Sequence, residues 1–235
     1  MSAPWWPTTT RAAPGPDSLC TGTLIAPQVV LTAAHCGGAL APGSTAVGVS
    51  FAPEFDDDAE NPDVYEGTFI PHPDFGFSGP GGRSDPHDIA VILLEEAPAG
   101  ITPAQLPTLG RLDRLKADRS LAGSVFTAVG YGLVRDTKKG GPHGFTDSEG
   151  IRRFVLQSFL SLNKQWLNLS MQPSTGDGGT CYGDSGGPHF LGGVESNLVV
   201  SITITGDAMC RATDTTYRLD TASARDFLDD YVTLP

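Results

Sequence analysis

The stretch from Gly178 to Pro188 constrains this chain more than any other, reading Gly-Gly-Thr-Cys-Tyr-Gly-Asp-Ser-Gly-Gly-Pro. Three features mark it as a site rather than a plain turn. Ser185 is flanked by glycines that let a substrate approach, Asp184 stands beside it, and Cys181 can pin the loop. A serine hydroxyl is a poor nucleophile on its own. It needs a base within hydrogen-bond reach, a third group to orient that base, and backbone N–H groups aimed at the charge that develops on an attacked carbonyl. The rest of the chain must therefore supply a histidine and a buried acid.

Both occur in stretches of the right character. Val29-Val30-Leu31-Thr32-Ala33-Ala34-His35-Cys36 is an apolar run ending in small residues, which puts His35 where a strand stops and the chain turns. His87-Asp88-Ile89-Ala90-Val91-Ile92-Leu93-Leu94 sets Asp88 just ahead of a continuous apolar strand, where a carboxylate is drawn into the interior. Singly, each has a bland reading: His35 as a core histidine, Asp88 as a turn cap, Ser185 as a loop residue held by glycines. Together and in the order His, Asp, Ser, the motifs Thr-Ala-Ala-His-Cys, Asp-Ile-Ala-Val and Gly-Asp-Ser-Gly-Gly-Pro resemble the chymotrypsin/trypsin family of serine proteases, and its secreted bacterial members in particular. The resemblance covers nearly the whole chain and is strong in those three stretches and around the cysteines.

Length and composition agree with that class. At 235 residues the chain suits one large all-β unit or two small barrels sharing an interface, and 29 glycines, 19 prolines and scarce helical periodicity read as strands and turns. A net charge of −12 argues against a nucleic-acid partner, which is held mainly by cationic contacts to phosphates. No apolar run is long enough to span a bilayer.

Four cysteines, Cys20, Cys36, Cys181 and Cys210, allow three pairings. No two of them have the short spacing of a zinc knuckle, and the five histidines are scattered, so disulfides are favoured over metal ligands. Disulfides persist in an oxidising compartment, which implies a secreted protein. Residues Met1 to Arg11 nevertheless lack the basic start and apolar run of a signal peptide, and the expectation is either a processed or truncated form of an exported chain or a start assigned too late. Glu54, Asp56, Asp57, Asp58 and Glu60 crowd a Pro-interrupted loop over 54–60. Carboxylates of this kind suit calcium, but their spacing does not match a set of alternating ligands, and a solvated acidic loop is the favoured reading.

The resemblance implies more than the residues alone carry. It implies an all-β fold of two six-stranded antiparallel β-barrels with a C-terminal α-helix, forming one peptidase domain. The first barrel, over 1–100, would carry His35 and Asp88; a crossover would span 101–120; the second barrel, over 121–220, would carry Ser185; and a helix would close the chain over 221–233. Cys20 would pair with Cys36, and Cys181 with Cys210. Ser185 would attack a peptide carbonyl, His35 would take its proton, Asp88 would fix the histidine tautomer, and the N–H groups of Gly183 and Ser185 would hold the oxyanion, without metal or organic cofactor. The same fold also allows a catalytically silent homologue that binds a partner.

Counting back from Ser185 places Gly179 where trypsin-like members carry the acid that selects Lys or Arg. With Thr180, Tyr182, Gly206 and Thr215 (Thr216 in the other register), the implied pocket is neutral and suits apolar side chains of small to middling size. Asp214, one position away, would favour basic side chains if it entered the pocket. In the family's activated members an amine freed before an Ile-Val-Gly-Gly type sequence sits beside the acid that Asp184 matches. No such sequence occurs here, and Pro4-Trp5 resembles a Pro-Trp well inside mature relatives. A chain beginning at Met1 is therefore expected to be less active than one extended upstream.

Overall fold

Twelve strands and two short helices make up the computed structural model, which describes residues 9–13, 20–55, 64–76, 85–135 and 150–235. In the first half, β1 (Thr9–Ala13), β2 (Cys20–Ala26), β3 (Val29–Thr32), β4 (Ala46–Ser50), β5 (Val64–Pro71) and β6 (Ala90–Leu94) form a closed antiparallel barrel in the order β1-β2-β3-β6-β5-β4. The second half repeats this with β7 (Val125–Gly130), β8 (Arg153–Leu162), β9 (Trp166–Ser170), β10 (Pro188–Leu191), β11 (Val199–Gly206) and β12 (Thr213–Arg218) in the order β10-β11-β12-β9-β8-β7. This is the all-β, two-barrel fold that the motifs imply.

Strand chemistry explains the barrels. β6 reads Ala-Val-Ile-Leu-Leu with no polar alternation, and Ala90, Val91, Ile92 and Leu94 are all buried. A fully buried Val, Leu or Ile side chain contributes about 1.5–3 kcal/mol. One contiguous core joins first-barrel residues such as Leu24, Val30 and Ile92 to Val129, Ile202 and Tyr217 of the second barrel and to Phe227 near the C terminus. The two barrels thus share an interior, and the seam between them is where His35, Asp88 and Ser185 lie.

Several local expectations shift. β1 and β10 carry no strong strand signal in sequence, and each is defined by its partners: β1 pairs with both β2 and β4, and β10 with both β7 and β11. The crossover contains a helix, α1 (Arg111–Ala117), whose first turn is held from outside by Asp220, since Leu112 N–H donates to Asp220 Oδ2 at 2.7 Å. The final helix, α2 (Ala222–Leu228), is shorter than the expected 221–233. Thr221 caps it by accepting from Ala224 N–H at 3.2 Å, and the N–H groups of Tyr231 and Val232 both fold back onto Leu228 O at 3.0 Å, tightening its end. Of the acidic 54–60 stretch weighed for calcium, residues 56–60 lie outside the described residues.

Candidate active site

Pairing between β3 and β6 creates the first half of the site. Thr32 lies opposite Ala90, so the chain leaving β3 and the chain entering β6 emerge side by side at one end of the barrel. His35 follows on a 3₁₀ turn (Ala34–Ala39), and Asp88 precedes β6 with its side chain fully buried. One carboxylate serves His35 twice: Oδ1 accepts the His35 backbone N–H at 2.9 Å, and Oδ2 meets ring Nδ1 at 2.8 Å. With Nδ1 engaged, Nε2 is the ring nitrogen left to face a nucleophile.

The Ser185 loop is docked against the same edge. Thr21 N–H on β2 donates to Ser185 O at 2.8 Å, and Gly186 N–H donates to Thr203 O on β11 at 2.7 Å, so Ser185 is held between the barrels. Gly186 has φ +77°, and a Cβ there would lie 2.2 Å from Thr32 Oγ1 and 2.7 Å from Ala33 N. The backbone beside the serine therefore passes in contact with the segment that leads to His35, an approach only glycine permits. Both disulfides form in the implied pairing, Cys20–Cys36 behind the His35 turn and Cys181–Cys210 across the serine loop. Cys20, His35 and Cys36 cluster closely enough to hold a metal, yet both sulfurs are spent in the disulfide and offer no thiolate.

Asp184 turns away from Ser185 into the second barrel. Its Oδ2 accepts Cys181 N–H at 2.8 Å and its Oδ1 accepts Gly132 N–H at 2.9 Å. Leu133 N–H donates to Tyr182 O at 2.8 Å, and a trans peptide then directs Gly183 N–H to the opposite side. The Gly183 carbonyl is fixed in turn by Thr21 Oγ1 at 2.9 Å. A cavity of about 340 Å³, lined by Gly130, Gly132, Met171, Gly179 and Asp184 among others, adjoins the carboxylate.

A second cavity, of about 200 Å³, opens at Ser185. Of the residues expected to bind substrate, Thr180, Tyr182 and Gly206 line it, whereas Gly179 lines the larger cavity behind. Thr215 is a correction: its Oγ1 donates to Asn168 Oδ1 at 3.0 Å, and it lines neither cavity. Side chains alternate along β12, so Asp214 and Thr216 turn inward where Thr215 turns out. Asp214 is fully buried and engaged by Thr180 Oγ1 at 2.6 Å, His189 Nε2 at 2.9 Å and Gln157 Nε2 at 3.1 Å. It lines neither cavity.

The family profile described as Trypsin matches residues 1–226. The chain belongs to the trypsin family. Trypsin-family relatives include kallikrein 1-related peptidase b24 of Mus musculus, 30% identical over 75% of this chain and 67% of that protein, and brachyurin of Leptuca pugilator, 30% identical over 86% of this chain and 84% of that protein. A solved structure of HL collagenase superposes with a TM-score of 0.68 over 97% of this chain and 95% of that one, at 19% identity, and so supports the fold. These relatives are animal proteins, and the resemblance to secreted bacterial members is not supported. The chain is a serine endopeptidase of the trypsin family.

Sequence reasoning passed over the residues that hold the serine loop. Thr21 binds Gly183 from 162 positions away. Gly130 and Gly132 make room for Asp184, because a Cβ would fall 1.9 Å from Asp184 Oδ1 at the first and 2.7 Å from Asp184 Cγ at the second. The one available signal was the Val-Gly-Tyr-Gly run over 129–132, two glycines at the end of an apolar strand where side chains should pack.

Burial pushes the Asp184 carboxyl up from its ordinary 3.8 to about 6, against the lowering by the Cys181 and Gly132 N–H groups. The folded state then binds more protons than the unfolded chain between those two values. The contribution of Asp184 to stability accordingly falls as pH rises through that window, by about 3 kcal/mol. Denaturant unfolding of the parent and of Asp184→Asn is expected to show the parent losing about that much relative to the variant between about pH 3.5 and 7. A difference that stays constant with pH would mean that burial does not raise the carboxyl.

Proposed function

We propose that the endopeptidase works through Ser185 as nucleophile, His35 as general base and then acid, and Asp88 as the group that orients and stabilises the imidazole. The observation that carries this reading is the double hold of Asp88 on His35, 2.8 Å to Nδ1 and 2.9 Å to the backbone N–H. With Nδ1 donating to a buried carboxylate, the ring proton is kept on the inner nitrogen and Nε2 is an acceptor. Ser185 Oγ attacks the scissile carbonyl carbon as its proton passes to Nε2. The oxyanion is received by the Gly183 and Ser185 N–H groups, and each such donor typically supplies about 2.7–4 kcal/mol of barrier lowering. The C–N bond then breaks as His35 returns the proton to the leaving amine. Water repeats the sequence on the acyl-enzyme and frees Ser185.

The substrate is a protein or peptide, and the preferred side chain before the scissile bond is apolar. Gly179 supplies no acid, and Asp214 is already engaged by Thr180, His189 and Gln157. Two disulfides suit an exported protein in an oxidising compartment.

A fluorophosphonate probe tests the assignment. Peptide mapping of the labelled protein is expected to find the phosphonyl group on Ser185 and nowhere else. A folded sample that is not labelled, or is labelled at another serine, overturns it.

A further inference from the structure

Asp88 has to orient His35, yet among the described residues both hydrogen bonds to its carboxylate come from His35 itself. Its placement must therefore come from its own backbone. Ile89 N–H donates to His87 O at 2.9 Å, closing a three-residue turn centred on Asp88, and His72 N–H donates to Ile89 O at 2.9 Å. Just ahead of that turn His87 has φ +52°, a left-handed conformation that a non-glycine residue keeps only where its surroundings hold it. Those surroundings converge on one side chain. Asp85 Oδ1 accepts the His87 N–H at 3.0 Å and the Tyr217 O–H at 2.9 Å, and its Oδ2 accepts from Gln165 Nε2. Tyr217 lies on β12 and Gln165 just ahead of β9, so a first-barrel carboxylate takes two donors from the second barrel. The His87 ring is fixed as well, stacked on His72 with centroids 4.4 Å apart and with Nδ1 3.1 Å from Ser223 Oγ.

We propose that Asp85 is a positioning residue of this endopeptidase: it grips the turn at His87 and ties it to the second barrel, and so sets where Asp88 stands and how His35 faces Ser185. The inference rests on the reading of Ser185, His35 and Asp88 as the catalytic groups. Asp85 acts through the backbone of residues 87 and 88, not on the substrate. Asp88 enters β6 of the first barrel while the Ser185 loop belongs to the second, so acid and nucleophile need a common reference across the seam. Tyr217 and Gln165 supply it through Asp85. A carboxylate suits this task because it is acceptor-only and its two oxygens have room for several donors. Burial pushes the Tyr217 phenol up, so its hydroxyl stays protonated and remains a donor. The geometry so held matters for rate, because a displacement of about 1 Å in a catalytic group can cost about 100-fold.

The test compares two replacements of Asp85 on an apolar peptide ester, with rates normalised to folded protein. Asp85→Ala removes all three hydrogen bonds. Asp85→Asn keeps an acceptor for His87 and Tyr217 and offers its amide to Gln165, whose own amide can turn over to accept. Both replacements remove the same charge, so the difference between them reports the hydrogen bonds. Asp85→Ala is expected to lower kcat by about 10- to 100-fold. Its KM should stay within about twofold of the parent's, because the cavity at Ser185 is lined by second-barrel residues. Asp85→Asn should restore kcat to within about threefold of the parent, which a general loss of stability or of charge would not do. Tyr217→Phe keeps the buried ring and should lower kcat at least about threefold in the parent, with no further loss in Asp85→Ala, because the hydroxyl then has no carboxylate to reach. A folded Asp85→Ala that loses less than about tenfold, an Asp85→Asn that falls as far, or a Tyr217→Phe loss that multiplies with that of Asp85→Ala overturns the proposal. If Asp85→Ala does not fold, Tyr217→Phe decides it, and turnover at the parent's rate overturns the proposal. Failure of the underlying reading looks different, because the fluorophosphonate probe would then not label Ser185 in the parent itself.

Discussion

Replacing His35 with Ala is expected to lower kcat by about 10⁶-fold, because Ser185 then has no group to take its proton. The residual rate should still exceed the uncatalysed one by about 10³–10⁴, supplied by the oxyanion donors and by substrate binding, neither of which involves the ring. Folding should survive the change. The His35 side chain is 30% exposed and sits on a turn outside the barrel, so little apolar burial is lost. Asp88 keeps one partner, the backbone N–H of residue 35 at 2.9 Å, and loses the other. A buried carboxylate deprived of one hydrogen bond costs about 1–3 kcal/mol of stability, which denaturant unfolding would show. Turnover of an apolar peptide ester, normalised to folded protein, is the measurement. A loss smaller than tenfold would mean that another group serves as base, and the assignment of His35 would be wrong.

How much of this could be read from the chain depended on how far apart the interacting residues lie. His35, Asp88 and Ser185 were legible because each stands in a short motif whose neighbours explain its placement: a strand ends before His35, another begins after Asp88, and glycines surround Ser185. The contacts that hold these segments together were not legible. The hold of Thr21 on Gly183 and the accommodation of Asp184 by Gly130 and Gly132 join parts of the chain far apart in sequence, and nothing local marks them. Thr215 failed for a different reason. Side chains on a strand alternate, so a one-residue error in register exchanges the inner face for the outer, and it is Asp214 that turns inward. Of the fold, the strongly apolar strands such as β6 declared themselves, whereas β1 and β10 exist because neighbouring strands pair with them on both sides.

Asp88→Asn should lower kcat by about 10⁴-fold while leaving the architecture of the site nearly unchanged. The argument turns on which groups each oxygen of Asp88 meets. Oδ1 accepts the His35 backbone N–H, and an asparagine carbonyl oxygen placed there accepts it equally well. Oδ2 meets Nδ1 at 2.8 Å, and the amide nitrogen that replaces it is a donor. Two donors cannot face each other in a buried site, so the ring must present a lone pair at Nδ1 and carry its proton on Nε2. The imidazole is then held in place in the wrong tautomer, with a hydrogen where Ser185 needs an acceptor. The charge of Asp88 is lost as well, so the imidazolium formed during proton transfer is no longer stabilised from behind. The fluorophosphonate reaction separates this account from simple loosening. If the tautomer is the cause, labelling of Ser185 slows together with kcat, while KM for an apolar ester and the unfolding midpoint stay close to the parent's. Asp88→Ala, which removes both acceptors, should in contrast lower stability too, since the backbone N–H of His35 is left unserved. An Asp88→Asn enzyme that labels at the parent's rate would show that the orientation of His35 does not depend on this carboxylate.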